Sequence, residues 1–169
     1  MLVARVYDPV VEAAPARIAG CLAELGLPME RRGERRWVLQ VPCVARGTLG
    51  TLVECRERSL SLQAFYLRAP DREREAVYRR LLRRHLETGP WRFALDDAGD
   101  LYLMADVPLA GLGADDLDGL LGALSTLVDE TWEGAVRTGF DVPPDAAVVL
   151  PPSDEPPQAI CEPNQRASL

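Results

Sequence analysis

The chain has 169 residues, of which 47% are hydrophobic and 27% charged, and its formal net charge is −7. This length and composition are typical of one globular domain with some excess chain, and they exclude wholesale disorder. No run approaches the roughly 18 apolar residues of a membrane span, and the N-terminus lacks a basic region followed by an apolar one. We therefore expect a soluble cytoplasmic protein without a signal peptide.

The charges are unevenly distributed along the chain. All 19 basic residues are arginine; residues 1–92 hold 17 of them against 11 acids, a net +6, and residues 93–169 hold 2 against 15, a net −13. An acidic chain disfavours phosphate backbones, so direct nucleic-acid binding is not expected. The basic half could meet the acidic half within one chain or across a dimer, although two solvated charged surfaces explain the counts equally well.

The first half of the chain predicts one helix and three strands. A helix is expected to begin at Pro15 and stop at Gly26, because Ile18, Leu22 and Leu25 recur at helical spacing. Alternating apolar residues then predict strands over 37–42, 49–56 and 59–67, joined as an antiparallel meander.

The second half predicts two helices that flank a hairpin. One helix is expected to open at Pro70-Asp71, with Asp71 as its N-cap, and to end at Gly89-Pro90. Residues 91–95 and 101–107 alternate around an acidic, glycine-containing turn, which is typical of a β-hairpin. The last helix is predicted over roughly 115–138. Its apolar stripe comprises Leu117, Leu120, Leu121, Leu124, Leu127, Val128, Trp132 and Ala135.

These elements predict the fold class and the domain organisation. Strands in runs, broken by single helices and joined by hairpins, indicate an α+β domain with an antiparallel sheet of about five strands and three helices, in the order α-β-β-β-α-β-β-α. We expect an N-terminal extension over 1–14, the domain over 15–140, and a proline-rich, disordered tail over 141–169.

The sequence offers little for catalysis. Without lysine, neither a phosphate-binding loop of the G-x-x-x-x-G-K type nor a Schiff base can form. His85 is the single histidine, which excludes paired-histidine metal sites and is typical of a packed or interface residue. The acidic turn Asp96–Asp100 fails the spacing of a calcium loop and is explained as a hairpin turn. We predict no catalytic, cofactor-binding or metal-binding residues, and we interpret the chain as a non-enzymatic binding module.

The positive signal is a surplus of apolar strand positions. If Trp37, Leu39 and Val41 of the first strand face the helices, together with Leu60, Leu62, Phe93, Leu101 and Leu103, five further apolar residues alternate onto the other face of the sheet. Leaving them in water would forgo roughly 1.5–3 kcal/mol each. We expect another subunit, a client protein, or the chain's own ends (residues 1–14, or the run Ala146–Leu150) to cover that face. The five residues are Val38, Phe65, Leu67, Tyr102 and Met104.

Several strings, together with the order of elements, carry a family resemblance. They are Trp37–Pro42, Val77–Arg84, Arg92–Asp96 leading into Gly99–Leu103, and Leu120-Leu121-Gly122. Across residues 15–140 the chain resembles the bacterial YbjN family, described as sensory transduction regulators. That family is similar in fold to type III secretion chaperones. The resemblance implies a small acidic homodimer, with the second helix near the dimer contact, that binds protein segments without nucleotide and has no established active site.

The leading hypothesis is a homodimeric protein-binding module, chaperone-like or a regulatory adaptor, that holds a protein client. Its client-binding face would be the five apolar residues named above. One alternative is a small-ligand or metal-responsive regulator, and another is a nucleic-acid accessory that uses the arginine-rich face of the second helix. The dimer contact is predicted at Val77, Tyr78, Leu81, Leu82 and His85.

Overall fold

The computed structural model describes residues 9–141 and has an α+β fold, in which three helices pack on one face of a six-stranded antiparallel sheet of order β1-β2-β3-β4-β6-β5. The fold class and the antiparallel meander are confirmed, and the sheet has one strand more than predicted. The elements in chain order are α1 (Pro9–Glu24), β1 (Met29–Arg31), β2 (Arg36–Cys43), β3 (Gly47–Cys55), β4 (Ser59–Leu67), α2 (Arg74–Arg84), β5 (Arg92–Leu95), β6 (Leu101–Pro108) and α3 (Ala114–Gly139).

The unpredicted strand is β1, at one edge of the sheet. Its three residues, Met29–Arg31, are all exposed and pair with β2. A strand this short has no apolar alternation, and two of its three residues are charged, so no sequence pattern marks it. The edge at the other side of the sheet is β5.

Two helix starts differ from prediction. α1 begins at Pro9 and contains Pro15 in its interior; both prolines suit a first helical turn, and the earlier one is used. α2 begins at Arg74 rather than after Asp71, and the N-cap residue is Glu73. The carboxylate of Asp71 accepts hydrogen bonds from Arg68 at 2.6 and 2.7 Å instead of capping the helix.

The core lies between the sheet and the helices. Every strand residue predicted to face the helices is buried there, from Trp37 on β2 to Leu103 on β6, and so is the whole predicted stripe of α3. These two sequence patterns are therefore confirmed. Ile18 and Leu22 of α1 pack into the same core. Within residues 9–141 no helix combines the length and the apolar character needed to cross a bilayer.

Candidate functional site

The side of the sheet turned away from the helices, called here the second sheet face, carries an apolar patch that one polar residue, Gln63, interrupts. Val38 of β2 lies beside Leu52 of β3, which lies beside Gln63 of β4, and Gln63 in turn pairs with Met104 of β6. In the next row the rings of Phe65 and Tyr102 meet edge to face, with their centroids 5.4 Å apart. Cross-strand neighbours on one face are in side-chain contact, so these residues form one surface rather than scattered positions.

One end of the second sheet face is bordered by ion pairs, called here the arginine border: Arg36, Glu54, Arg56, Asp106 and Arg92. Arg36 and Arg56 both contact the Glu54 carboxylate, at 2.7 and 3.3 Å. Asp106 accepts from Arg92 at 2.6 Å and lies 3.5 Å from Arg56. Three guanidinium groups share two carboxylates, so the border keeps a positive excess beside the apolar patch.

The prediction placed Leu67 on this face, and that placement is wrong. A β-bulge inserts one extra residue, because Phe65 pairs with Tyr102 while Leu67 pairs with the adjacent Leu101. The bulge turns both Tyr66 and Leu67 toward the helices, where both are fully buried. Conversely, Leu52 belongs to the second sheet face, although it was not predicted there. Leu49, Thr51 and Val53 of β3 alternate toward the helices, and this alternation could have predicted that Leu52 faces the other way.

The bulge is supported by a half-buried cation, Arg46. Arg46, in the turn between β2 and β3, donates to the carbonyl oxygens of Phe65, Tyr66 and Thr48, each at 3.1 Å. Its guanidinium lies over the Trp132 ring, 5.1 Å from the centroid. Burial lowers the pKa of Arg46 to about 10, so the group still carries its charge at neutral pH. Arg46 therefore holds the backbone beneath Phe65 in the shape that the second sheet face requires.

The second sheet face is less exposed than an open sheet surface would be. Val38, Tyr102 and Met104 are each 8% exposed, although none of them belongs to the core between sheet and helices. Burial, and next the neighbouring Asp96 carboxylate, raise the pKa of Tyr102 to about 12. Leu52 and Phe65 are half-buried.

The outer surface of α2 was the predicted dimer contact, and the structure divides its five residues. Val77 and Leu81 are in the core of the same chain, 0% and 1% exposed, so they are not available to a partner. Tyr78 and His85 are half-buried, and Leu82 is 55% exposed. An apolar face on a helix indicates that something covers it but not what does. Here the sheet and α3 cover part of the apolar face of α2.

Two exposed leucines extend this surface beyond the prediction. Leu86 is 92% exposed just after α2, and Leu95 is 46% exposed at the end of β5. Leu95 lies on the same side of β5 as Phe93, whose ring stacks on His85. The surface formed by Leu82, Leu86 and Leu95 with Tyr78 and His85 is called here the α2 surface.

His85 joins α2 to the edge strand. Its Nε2 accepts a hydrogen bond from the backbone N–H of Phe93 at 2.6 Å, and the two rings lie 5.8 Å apart and nearly parallel. Desolvation, assisted by the positive charge of Arg92, lowers the pKa of His85. The imidazole therefore acts as a neutral acceptor that satisfies an edge amide of β5, which agrees with the prediction of a packed histidine.

The acidic turn and the arginine-rich face of α2 have structural partners. Asp96 accepts from the N–H groups of Ala98 and Asp100, both at 2.9 Å, and the Asp100 carboxylate accepts from Ala69 at 2.7 Å. Within residues 9–141 no three acidic, histidine or cysteine side chains form a cluster that could hold a metal ion. On α2, Arg84 pairs with Glu130 and Glu87.

The sequence is similar to mycobacterial proteins described as uncharacterized. One from Mycobacterium tuberculosis is 33% identical over 103 residues, which are 61% of this chain and 56% of that protein. One from Mycobacterium leprae is 32% identical over 108 residues, 64% of this chain and 59% of that protein. The matches therefore span little more than half the length of these relatives.

Solved structures share the fold at low sequence identity. The Yersinia pestis type III secretion chaperone SycH, in complex with a stable fragment of YscM2, matches with a TM-score of 0.50 and 15% identity over 70% of this chain and 98% of that chain. The HopA1-SchA chaperone–effector complex matches with a TM-score of 0.53 and 14% identity over 75% and 98%. The ExsC-ExsE complex matches with a TM-score of 0.52 and 18% identity over 73% and 93%. These likenesses establish a type III secretion chaperone-like fold.

The family model described as "Putative bacterial sensory transduction regulator" matches residues 14–133. That range runs from the middle of α1 into the last turns of α3, so it includes every strand, the second sheet face and the α2 surface. The chain therefore belongs to the YbjN family.

Proposed function

We propose that this chain is a protein-binding module that holds an extended segment of a client polypeptide on the second sheet face. The observation that supports this most strongly is the juxtaposition on that face of the apolar patch with the arginine border. The accessible part of this patch is at Leu52 and Phe65, which are half-buried, and accessible apolar surface is typical of interaction sites. Solved structures of the same fold include complexes with protein partners, SycH with a YscM2 fragment and SchA with HopA1.

The geometry of the face defines the chemistry of the client. Side chains spaced along a sheet surface suit a polypeptide that presents apolar residues at intervals, as in Leu, Val or Met-containing extended segments. The three guanidinium groups of Arg36, Arg56 and Arg92 favour a client with acidic residues next to its apolar stretch. We expect binding to weaken moderately with salt, since the arginine border is exposed to solvent.

We propose further that two chains associate through the α2 surface. Leu82, Leu86 and Leu95 are exposed on α2, just after it, and at the end of β5, the strand that His85 links to α2, and a homodimer through the α2 surface would bury them. Light scattering at micromolar concentration should give twice the mass of one chain. The paired substitution Leu82→Glu with Leu86→Glu should give single chains, whereas Val44→Glu, at a 95% exposed position on another turn, should leave the mass unchanged.

The client proposal is tested by affinity capture with matched variants. Phe65→Asp with Leu52→Asp places two charges on the half-buried part of the second sheet face, and Val44→Asp serves as the control. We expect the parent and the control to capture the same partner and the face variant to lose it. Titration calorimetry with the purified captured protein should rank the affinities of the parent, the control and the face variant in the same order. Equal binding by the face variant, with its thermal unfolding unchanged, would reject the second sheet face as the client site.

We propose that the protein acts without catalysis, since its single histidine, His85, accepts a hydrogen bond from a backbone amide. A regulator that responds to a small ligand or a metal ion remains the second candidate, because the family is described as a sensory transduction regulator. It predicts a thermal shift with a metabolite or divalent ion that the face variant retains.

A further inference from the structure

The strand β5 is an edge of the sheet, and the residues that follow α2 close part of that edge. In the pairing with β6, Phe93 lies opposite Leu103, yet its backbone N–H donates to Nε2 of His85 at 2.6 Å. Phe93 and Leu103 are therefore a pair without mutual hydrogen bonds, and the backbone groups of Phe93 point away from β6. An edge strand with outward N–H and C=O groups is a template for another strand.

The same turn satisfies the preceding outward residue of this edge. Trp91, two residues before Phe93, has the same orientation because the direction of the backbone groups alternates along a strand. Its N–H donates to the Thr88 carbonyl at 3.2 Å, and its carbonyl accepts from the Thr88 hydroxyl at 2.6 Å. One short segment, residues 85–88, therefore occupies three consecutive outward groups. A further strand cannot pair with this stretch of the edge while the segment is in place.

The two closing contacts differ in chemistry. The hydroxyl and the carbonyl of Thr88 do not titrate, whereas the imidazole of His85 accepts the Phe93 amide only while Nε2 carries no proton. In a protonated imidazole both nitrogens are donors, so the Phe93 N–H would face another N–H. The Phe93 ring stacks nearly parallel to the imidazole, with centroids 5.8 Å apart, and keeps it in this position. The contact of His85 thus depends on pH, and the contacts of Thr88 do not.

The surroundings of His85 favour the neutral imidazole. Burial, and next the positive charge of Arg92 on β5, lower its pKa, and the hydrogen bond from Phe93 acts in the same direction because only the neutral form accepts it. Protonation in the folded chain therefore follows only as the pH falls below the ordinary pKa of 6.5. The carboxylates on the neighbouring elements are paired with arginines: Asp106 of β6 with Arg92, and Glu87 after α2 and Glu130 of α3 with Arg84.

We propose that His85 is a pH-sensitive latch, which closes the β5 edge while its imidazole is neutral and releases the Phe93 amide when it is protonated. Thr88 holds the adjoining turn in both states, so the release is confined to Phe93. The open edge presents an unpaired N–H near Leu95, which is 46% exposed, and an added strand engages a backbone donor and an apolar side chain of this kind. This latch lies at a sheet edge and does not depend on the proposed client site of the second sheet face.

Amide hydrogen exchange, followed by NMR in the full chain, tests the latch. Between about pH 7.5 and about pH 5, the range in which a histidine titrates, we expect the protection factor of the Phe93 amide to fall several-fold, after correction for the intrinsic pH dependence of exchange. The fall should share its midpoint with the imidazole resonances of His85. Two neighbouring amides are internal controls that should keep their protection: Trp91, which Thr88 holds, and Ala94, which faces β6 by the alternation of the strand.

Matched variants separate the acceptor from the ring. His85→Gln keeps a side-chain acceptor that does not titrate, so Phe93 should stay protected at both pH values. His85→Phe keeps an aromatic ring without an acceptor, so Phe93 should be unprotected at both. The pH series on the parent decides the question even where His85→Phe does not fold.

Three results overturn the latch. The first is a protection factor of Phe93 that stays constant through the titration of the imidazole. The second is undiminished protection of Phe93 in folded His85→Phe. The third is loss of protection at Trp91 and Ala94 together with Phe93, because the whole strand would then leave the sheet.

Discussion

Arg46 offers the sharpest test of how the fold shapes the second sheet face. It is a half-buried cation without a carboxylate partner among residues 9–141, and it donates instead to the carbonyls of Thr48, Phe65 and Tyr66 while packing over Trp132. Arg46→Met keeps the apolar stem and removes the donors. Loss of the hydrogen bonds to the two partly buried carbonyls, on Phe65 and Tyr66, would lower the free energy of unfolding by about 1–1.5 kcal/mol each, because these carbonyls regain only part of their hydration.

Loss of the contact between the cation and the Trp132 ring adds about 0.5 kcal/mol, so we expect Arg46→Met to lower the free energy of unfolding by about 3 kcal/mol in all. Urea denaturation followed by tryptophan fluorescence measures this directly. Arg46→Lys keeps the charge but replaces the planar fork by a single amine, and it should lose about half as much. Arg58→Met, at an exposed position, should change the stability by less than about 0.5 kcal/mol.

Equal urea midpoints for Arg46→Met and the parent would refute the reasoning, because the carbonyls of the bulge would then be satisfied without the guanidinium. A loss of the same size in Arg58→Met would refute it too, since the effect would then follow from removing any positive charge from the chain.

Three further predictions concern stability. The pKa of His85 is lowered in the folded protein, so the stability that the neutral imidazole contributes is present above the unperturbed pKa of 6.5 and is lost as the pH falls below that value. Acidification should therefore lower the urea midpoint of the parent more than that of His85→Gln. Equal falls in the two midpoints would contradict this. Gly139→Ala should lower the free energy of unfolding by about 1–3 kcal/mol, because a Cβ there would lie 2.8 Å from a proline ring. Gly122→Ala, with open space around it, should raise the free energy of unfolding by about 0.5–1 kcal/mol. Midpoints of thermal unfolding that shift in the same direction for both variants would contradict this pair of predictions. Tyr66→Phe removes a buried hydroxyl that donates to Thr131 at 3.0 Å and should lower the free energy of unfolding by about 1 kcal/mol. The double variant with Thr131→Val should lose less stability than the sum of the two single variants. Additive losses in urea denaturation would mean that the two hydroxyls do not interact.

The sequence predicted those parts of the fold that repeat a regular pattern. The eight apolar residues of the α3 stripe recur at helical spacing, and all of them are buried. β4 was predicted at residues 59–67 and is observed there. Periodicity succeeds in these cases because one side of each element faces a single, continuous core.

The missed features are breaks in that regularity. The bulge at Tyr66 reverses the alternation for Leu67, and its support comes from Arg46 about twenty residues away, a contact that local sequence does not encode. The apolar side of α2 was correctly recognised, but the sequence could not distinguish coverage by α3 and the sheet from coverage by a partner. Val77 and Leu81 were therefore assigned to an interface, whereas they are in the core.

The central claim is that the second sheet face holds polypeptide, and a photo-cross-linking residue at position 65 tests it most directly. We expect irradiation in living cells to join position 65 to a distinct protein, identified by mass spectrometry. The same cross-linker at position 44, which is 95% exposed but lies off this face, should not give this product. Absence of any product heavier than the chain at position 65, or identical products at the two positions, would contradict the account.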